Sequence, residues 1–317
     1  MITYYKLSDY LADRFDLAPG EKIYKLALSS GCTCPNRDGT LDTRGCIFCS
    51  AGGSGEFAQQ SDLSVTKQIE AGKALIRSKA PSARYIAYFQ SFTNTYAPLE
   101  KLRPLFTEAI EHPEVAVLSV ATRPDCLKDD VLDLLEELAR IKPVWVELGL
   151  QTIHPQTAAY IRRGYELPVF DRAVTELKKR GISVIVHLIL GLPGETKEDM
   201  QASAAYVSRA LIEAQRLHPS QDLPADGIKL QLLHVLRGTD LAKDYEKEAF
   251  RALDMDEYFA ILKACLSVTD PSLVLHRITG DGAKKDLIAP LWSGDKKRVL
   301  NAWTRYCQTD NLTDSLS

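Results

Sequence analysis

A chain of 317 residues can bury a sizeable apolar core and needs no staples to fold. Lys+Arg 39 against Asp+Glu 42 gives a net charge of −3, and 45% hydrophobic with 26% charged residues excludes a disordered chain or a histone-like polyanion binder. The opening MITYYKLSDYLADRFD lacks a cationic stretch followed by an apolar one, and no apolar run reaches the roughly 20 residues of a membrane span. A cytoplasmic protein with no membrane partner is therefore expected.

In chain order, a short helix is predicted over Lys6 to Phe15. Beyond it, apolar runs at Lys25–Leu28, Tyr85–Phe89, Val115–Val120, Val144–Leu150, Ser183–Leu190 and Ile228–Leu233 are too hydrophobic to leave one face in water, as expected of parallel strands covered on both sides. Between them, Leu63–Lys79, Pro98–His112, Leu127–Arg140, Pro168–Lys179 and Thr196–Leu217 carry the i, i+3, i+4 apolar spacing of covering helices, and Met255–Leu266 follows the sixth strand. This alternation predicts an α/β barrel-like sheet over residues 20–270, preceded by a lead-in at 1–19. From about Asp270 the pattern turns irregular through LVLHRITGDG, then helical over Lys296–Cys307; residues 271–317 are expected to form an extension packed on the barrel.

Four of the seven cysteines, Cys32, Cys34, Cys46 and Cys49, crowd into eighteen residues directly after the first of these strands. In a reducing compartment such crowding favours metal over disulfide. Cys126, Cys265 and Cys307 stand alone in periodic segments and read as small buried apolar residues. The cysteine loop falls at the carboxyl end of its strand, which in barrels is the catalytic rim. Three thiolates there could bind three irons of a [4Fe–4S] cluster and leave one iron open for chemistry. All four could instead hold a structural zinc in a non-catalytic protein. The spacing accommodates both.

The segments Cys34-Pro-Asn-Arg-Asp-Gly39 with Cys46-Ile-Phe-Cys49, Trp145-Val-Glu-Leu-Gly-Leu-Gln151 and His187-Leu-Ile-Leu-Gly-Leu-Pro-Gly-Glu195 resemble the radical S-adenosylmethionine (SAM) superfamily, in its YhcC/YtqA branch, over about residues 20–270. Eleven residues separate Cys34 from Cys46, longer than the superfamily's commonest spacing and typical of this branch. The resemblance implies a partial (β/α)6 TIM-like barrel with a C-terminal extension, and a [4Fe–4S] cluster on Cys34, Cys46 and Cys49 with Cys32 as a spare thiol. It further implies SAM at the open iron, cleaved with one electron from an external donor to a 5′-deoxyadenosyl radical. Implied SAM contacts are Phe48 against adenine, then Gln90, Ser91, Thr93 and Asn94 in the turn that replaces the superfamily's glycine-rich one. Gln151 and Arg163 complete the set, with His187 where relatives carry a ribose-binding acid.

The branch includes a tRNA-modifying protein, so the implied substrate is a tRNA wobble uridine whose carboxymethylaminomethyl group is cut back to aminomethyl, upstream of a methyltransferase. A small metabolite or a protein is the alternative substrate for the same chemistry. Glu147, on the same strand face as Gln151, and Arg277 and Asp281 are candidate substrate contacts. Residues 271–305 carry seven Lys/Arg against Asp281, Asp286 and Asp295, with Trp292 and Trp303 interleaved, a face suited to phosphates and a stacked base.

Overall fold

The computed structural model describes residues 4–18, 20–53, 55, 58–76, 84–218, 224–280, 282 and 284–314. The chain opens with β1 (Tyr5–Lys6) and α1 (Leu7–Phe15), followed by β2 (Ile23–Leu28), α2 (Val65–Ile76), β3 (Arg84–Phe89), α3 (Leu99–Glu111) and β4 (Val115–Thr122). Next come α4 (Asp129–Ala139), β5 (Val144–Gln151), α5 (Pro155–Tyr160), α6 (Leu167–Lys179), β6 (Ser183–Leu190) and α7 (Lys197–Gln215). The remainder is β7 (Gly227–Leu232), β8 (Val235–Leu236), α8 (Asp240–Glu246), α9 (Met255–Ser267), β9 (Val274–Arg277), β10 (Leu287–Ala289) and α10 (Lys296–Asp314). All six expected strands form within two residues of their expected bounds. The last residues of the expected helix Leu63–Lys79 lie outside the described residues.

The sheet has eight parallel strands in the order β1-β9-β7-β6-β5-β4-β3-β2, the curved half-barrel of an α/β protein. Two of the eight correct the six-strand expectation. β9 lies in the stretch expected to be irregular and pairs with β7, while β1 pairs with β9 at the sheet's edge. A strand of four residues ending in His-Arg carries too little apolar signal to be read from sequence.

Alternation sorts the side chains between two cores. Outward residues such as Leu118, Val146 and Leu188 meet the helices, with Leu102, Phe106 and Phe170 fully buried between the layers. Each such side chain contributes about 1.5–3 kcal/mol by burial. Inward residues at the amino end, Ile23, Ile86, Val117, Trp145 and Ile185, close on Tyr10 and Leu11 of α1, which plugs that end of the barrel. The carboxyl ends are left open to the loops. α7 and α9 start on capping boxes, Thr196 with Asp199 and Asp254 with Glu257. Glu195, just before α7, accepts from the Thr152 hydroxyl at 2.5 Å and ties the β5 and β6 loops together. Among the described residues no helix is long and apolar enough to cross a membrane.

Candidate active site

The cysteine loop crosses the open end of the barrel on two tight turns. The Cys34 carbonyl accepts from the Arg37 and Asp38 amides, and the Cys46 carbonyl accepts from the Cys49 amide at 3.0 Å. Arg37 joins the two halves, donating to the Cys49 and Ser50 carbonyls at 3.1 and 2.6 Å. Asn36, 2% exposed, donates to Cys46 Sγ at 3.4 Å and to the Arg162 carbonyl at 2.7 Å, which fixes Cys46 beside the turn after α5. Cys34, Cys46 and Cys49 all line one cavity of about 260 Å³. Burial, with the Cys49 thiol beside it, pushes Cys46 up to about 11 against the pull of Arg123.

Cys32 does not join them. It is 7% exposed, packs in the helix-side core, and burial pushes its thiol up. A tetrahedral zinc would hold sulfurs about 3.8 Å apart. Among the described residues the one group of potential ligand atoms all within 4.8 Å is Glu70, His112 and Glu114, not the four cysteines. Lys73 already bridges Glu70 and Glu114 there. Of the four cysteines Cys32 is thus the one that stands apart from the rim cavity. Cys126 and Cys265 are buried, as expected, and Cys307 is half-buried against the core.

Beneath the cysteines the interior is polar. Glu147 Oε1 accepts from Lys25 at 2.9 Å and Ser119 at 3.0 Å, and Oε2 from His187 at 2.8 Å and from Lys229. Burial opposes its charge, but Lys229, Lys25 and the His187 hydrogen bond outweigh it and hold the carboxyl well below the usual carboxylate range. Both lysines also sit over the Tyr88 ring, at 4.8 and 4.7 Å. His187 uses both nitrogens: Nε2 donates to Glu147 and Nδ1 accepts from Gln231 at 3.2 Å. It is a satisfied interior histidine with no ring nitrogen left for a ribose hydroxyl.

This geometry has a pH consequence. Burial, with Lys229 beside it, pulls His187 down to about 4. The unfolded histidine, near 6.5, binds the proton more readily, so stability is complete above that value and is lost as pH falls toward the folded one. Between pH 7 and 5 the loss from His187 is about 2 kcal/mol. Urea unfolding at the two pH values should show a smaller difference for His187→Asn than for the natural protein; equal differences would remove His187 as the cause. His276, pulled by burial to about 3, adds its own acid loss in both proteins.

At the end of β5 the register slips between Gly149 and Gln151, and Gln151 takes φ 70°, a left-handed conformation unusual for a side-chain-bearing residue. Its side chain crosses Gly149, where a Cβ would stand 2.8 Å from the amide nitrogen, and its Oε1 is buried with no hydrogen-bond partner. Gln151 lines the cavity, as do Phe48, Gln90, Thr93, Arg163, Glu147, His187 and Arg277. Arg163 spends its donors on the Thr152 and Tyr165 carbonyls and so braces the loop. Ser91 and Asn94 do not face the cavity. Ser91 bonds Ser29, and Asn94 accepts from Ser30 while donating to the Phe89 and Ala121 carbonyls, because the turn must anchor the neighbouring loops. Asp281 lies outside the described residues.

The sequence reading missed Arg123, Tyr88, Lys25, Lys229 and Gln231. Arg123 pairs with Asp125 at 2.9 and 2.7 Å, and its charge acts on Cys46. Lys25 and Lys229 had a signal: each is a lone cation inside an apolar strand, on its inward parity.

Three thiols on the rim of a cavity that a strained glutamine also lines fit an iron–sulfur cluster with an open iron. A half-barrel with such a rim defines a cofactor-radical enzyme class. Residues 34–207 match the Radical SAM superfamily and residues 225–308 the Radical_SAM C-terminal domain, and the chain belongs to the radical SAM superfamily. Protein YtqA of Bacillus subtilis is 42% identical over 94% of this chain and 88% of its own, which gives the branch. A tRNA uridine(34) acetyltransferase of Methanocaldococcus jannaschii is 26% identical over 55% of this chain and 30% of its own. The structure of Elp3 from Methanocaldococcus infernus superposes with TM-score 0.66 at 16% identity, over 92% of this chain and 64% of that one, a likeness of fold. The cofactors of the family are a [4Fe–4S] cluster and SAM.

Proposed function

We propose that this radical SAM enzyme holds its cluster on Cys34, Cys46 and Cys49 and trims the carboxymethylaminomethyl group of a tRNA wobble uridine to aminomethyl, for a methyltransferase to use. When bound, the cluster and SAM would supply one-electron cleavage of a carbon–sulfur bond, fed by an external donor, and a 5′-deoxyadenosyl radical that takes hydrogen from the carboxymethyl methylene; loss of a second electron to the oxidised cluster would leave an imine that water splits into the aminomethyl group and glyoxylate. The chain's own residues position and shield. Gln151 lines the cavity, and Phe48 and Ile189 supply apolar wall that keeps water off the reacting carbon.

The observation that carries the tRNA reading is the continuity of the cavity wall with a basic stretch. Gly280 and Gly282 line the cavity, and the next described residues, Lys284 and Lys285, are exposed, as are Lys296, Lys297, Arg298 and Arg305. The likeness to the tRNA uridine(34) acetyltransferase supports the same substrate class. One part of the expectation needs correcting: Trp303 is 1% exposed against Phe259 and Tyr306, and the Trp292 indole donates to the Leu253 carbonyl, so both are committed to packing and neither is a base-stacking platform. Phosphate contacts by the basic residues make RNA affinity fall steeply with salt.

The test is anaerobic incubation of the reconstituted protein with SAM, a reductant and an anticodon stem-loop carrying the carboxymethylaminomethyl uridine, read by nucleoside mass. Aminomethyluridine should form together with 5′-deoxyadenosine. Cleavage of SAM with the nucleoside untouched, and no stem-loop binding at low salt, would leave the enzyme class standing and remove the tRNA substrate.

A further inference from the structure

The turn that carries Cys46 is held between two helices distant from it in sequence. The Ile47 amide donates to the Ile161 carbonyl, just past α5, at 3.2 Å, and the Ile47 carbonyl accepts from the Leu241 amide of α8 at 3.0 Å. Ile47, Ile161 and Leu241 close the space between them as one apolar cluster. The two helices are also tied to each other. Arg162 Nη2 donates to Asp240 at 2.6 Å, and the Tyr160 hydroxyl donates to Asp244 at 2.9 Å. Arg162 takes φ 56°, the left-handed conformation past a helix end where glycine or asparagine is usual. Such strain persists where the surroundings over-determine it. Here Asp240 holds the guanidinium, and Asn36 holds the carbonyl at 2.7 Å.

Asn36 is a buried amide with two N–H groups, and both are used. One goes to the Arg162 carbonyl and the other to Cys46 Sγ at 3.4 Å. The carbonyl also decides which end of the amide faces the sulfur, because an acceptor at that distance selects Nδ2 over Oδ1. The Cys46 thiol points at the same carbonyl, 3.7 Å away. A thiol gives up its proton on binding a metal, so a ligating Cys46 has no hydrogen of its own to offer and the Asn36 N–H is the donor turned toward it. Hydrogen bonds to the sulfurs are one of the levers that set the reduction potential of an iron–sulfur cluster. The sign follows from charge. The reduced cluster carries one more electron, part of it on the sulfurs, and an N–H aimed at a sulfur stabilises that form over the oxidised one.

We propose that Asn36 is a positioning residue that raises the potential of the cluster through its N–H···S bond to Cys46, kept in register by Arg162 and Asp240; this rests on Cys46 being a cluster ligand. The external donor is then oxidised by one electron, and the [4Fe–4S]2+ form reduced to [4Fe–4S]+, at a less negative potential than the three thiolates alone would set.

The test is an anaerobic potentiometric titration of the reconstituted protein without SAM, in which the ratio of [4Fe–4S]+ to [4Fe–4S]2+ is read by electron paramagnetic resonance at one poised potential. Asn36→Leu, which has the branching of Asn without its donors, should lower that ratio roughly 3- to 10-fold, the range for a single hydrogen bond. Asp240→Ala leaves the cysteine loop unaltered and should lower it in the same direction by less; it decides the matter if Asn36→Leu retains no iron. A merely structural role gives the opposite pattern. Iron content falls while the loaded fraction keeps the natural ratio, and that result in Asn36→Leu, or in Asp240→Ala where Asn36→Leu holds no iron, overturns the proposal. If Cys46→Ala binds no cluster, such a result removes the tuning role alone. A cluster retained in Cys46→Ala removes the ligand assignment and this proposal with it.

Discussion

Replacing Cys46 with Ala is expected to abolish the [4Fe–4S]+ electron paramagnetic resonance signal of the reconstituted, reduced protein and with it the change in that signal on adding SAM. Cys46 is the most firmly placed of the three rim thiols. Its carbonyl closes the turn to Cys49, and its sulfur receives the Asn36 amide, which is itself pinned to the Arg162 carbonyl. A cluster held by three thiolates has no substitute at that corner, because Cys32, the nearest spare in sequence, is buried on the helix side of the sheet. Cys32→Ala should therefore keep the signal and cost only the small stability of a lost buried sulfur, about 1 kcal/mol. A signal that survives Cys46→Ala but vanishes in Cys32→Ala would reverse the ligand assignment and revive the four-cysteine site.

The parts of this site that were legible in sequence are those whose chemistry is local. Cys46 and Cys49 are a close pair in the loop after a strand, so spacing placed them on the rim, while Gln151, at the end of an apolar run, was named through the family resemblance. Ser91 and Asn94 were misplaced because the turn after β3 has to satisfy buried carbonyls of β3 and β4, a demand set by strands distant in sequence. His187 was read toward ribose because nothing near it in sequence reveals that Glu147 and Gln231, on the two flanking strands, occupy both its nitrogens. Arg277 was named as a substrate contact, yet the reason it reaches the cavity is a one-residue slip of β9 against β7, which no periodicity shows. The helices and six strands were recovered because their apolar period repeats over many residues, while β1 and β9 are too short to display one.

The interior charge cluster carries the largest expected effect on stability. Glu147 is fully buried and answers Lys229, which is 2% exposed, and Lys25. Glu147→Leu removes the carboxylate and leaves two ammonium groups facing each other in low dielectric, which should cost about 3–5 kcal/mol. In a chain of this size that is a fall of roughly 5–8 °C in Tm. The alternative cause is steric, since Leu fills the space differently, and a second substitution separates the two. Adding Lys229→Met to Glu147→Leu removes the buried cation as well, and replacing both partners of a buried pair with apolar residues is close to neutral. The double variant should therefore melt well above Glu147→Leu alone, held back by Lys25, which still lacks its partner. A steric penalty would add instead of cancelling, and the double variant would then melt lower than either single one. Recovery would identify Glu147 as the anion that lets the barrel interior hold two lysines, and a single variant melting like the natural protein would show that the interior does not depend on this pairing.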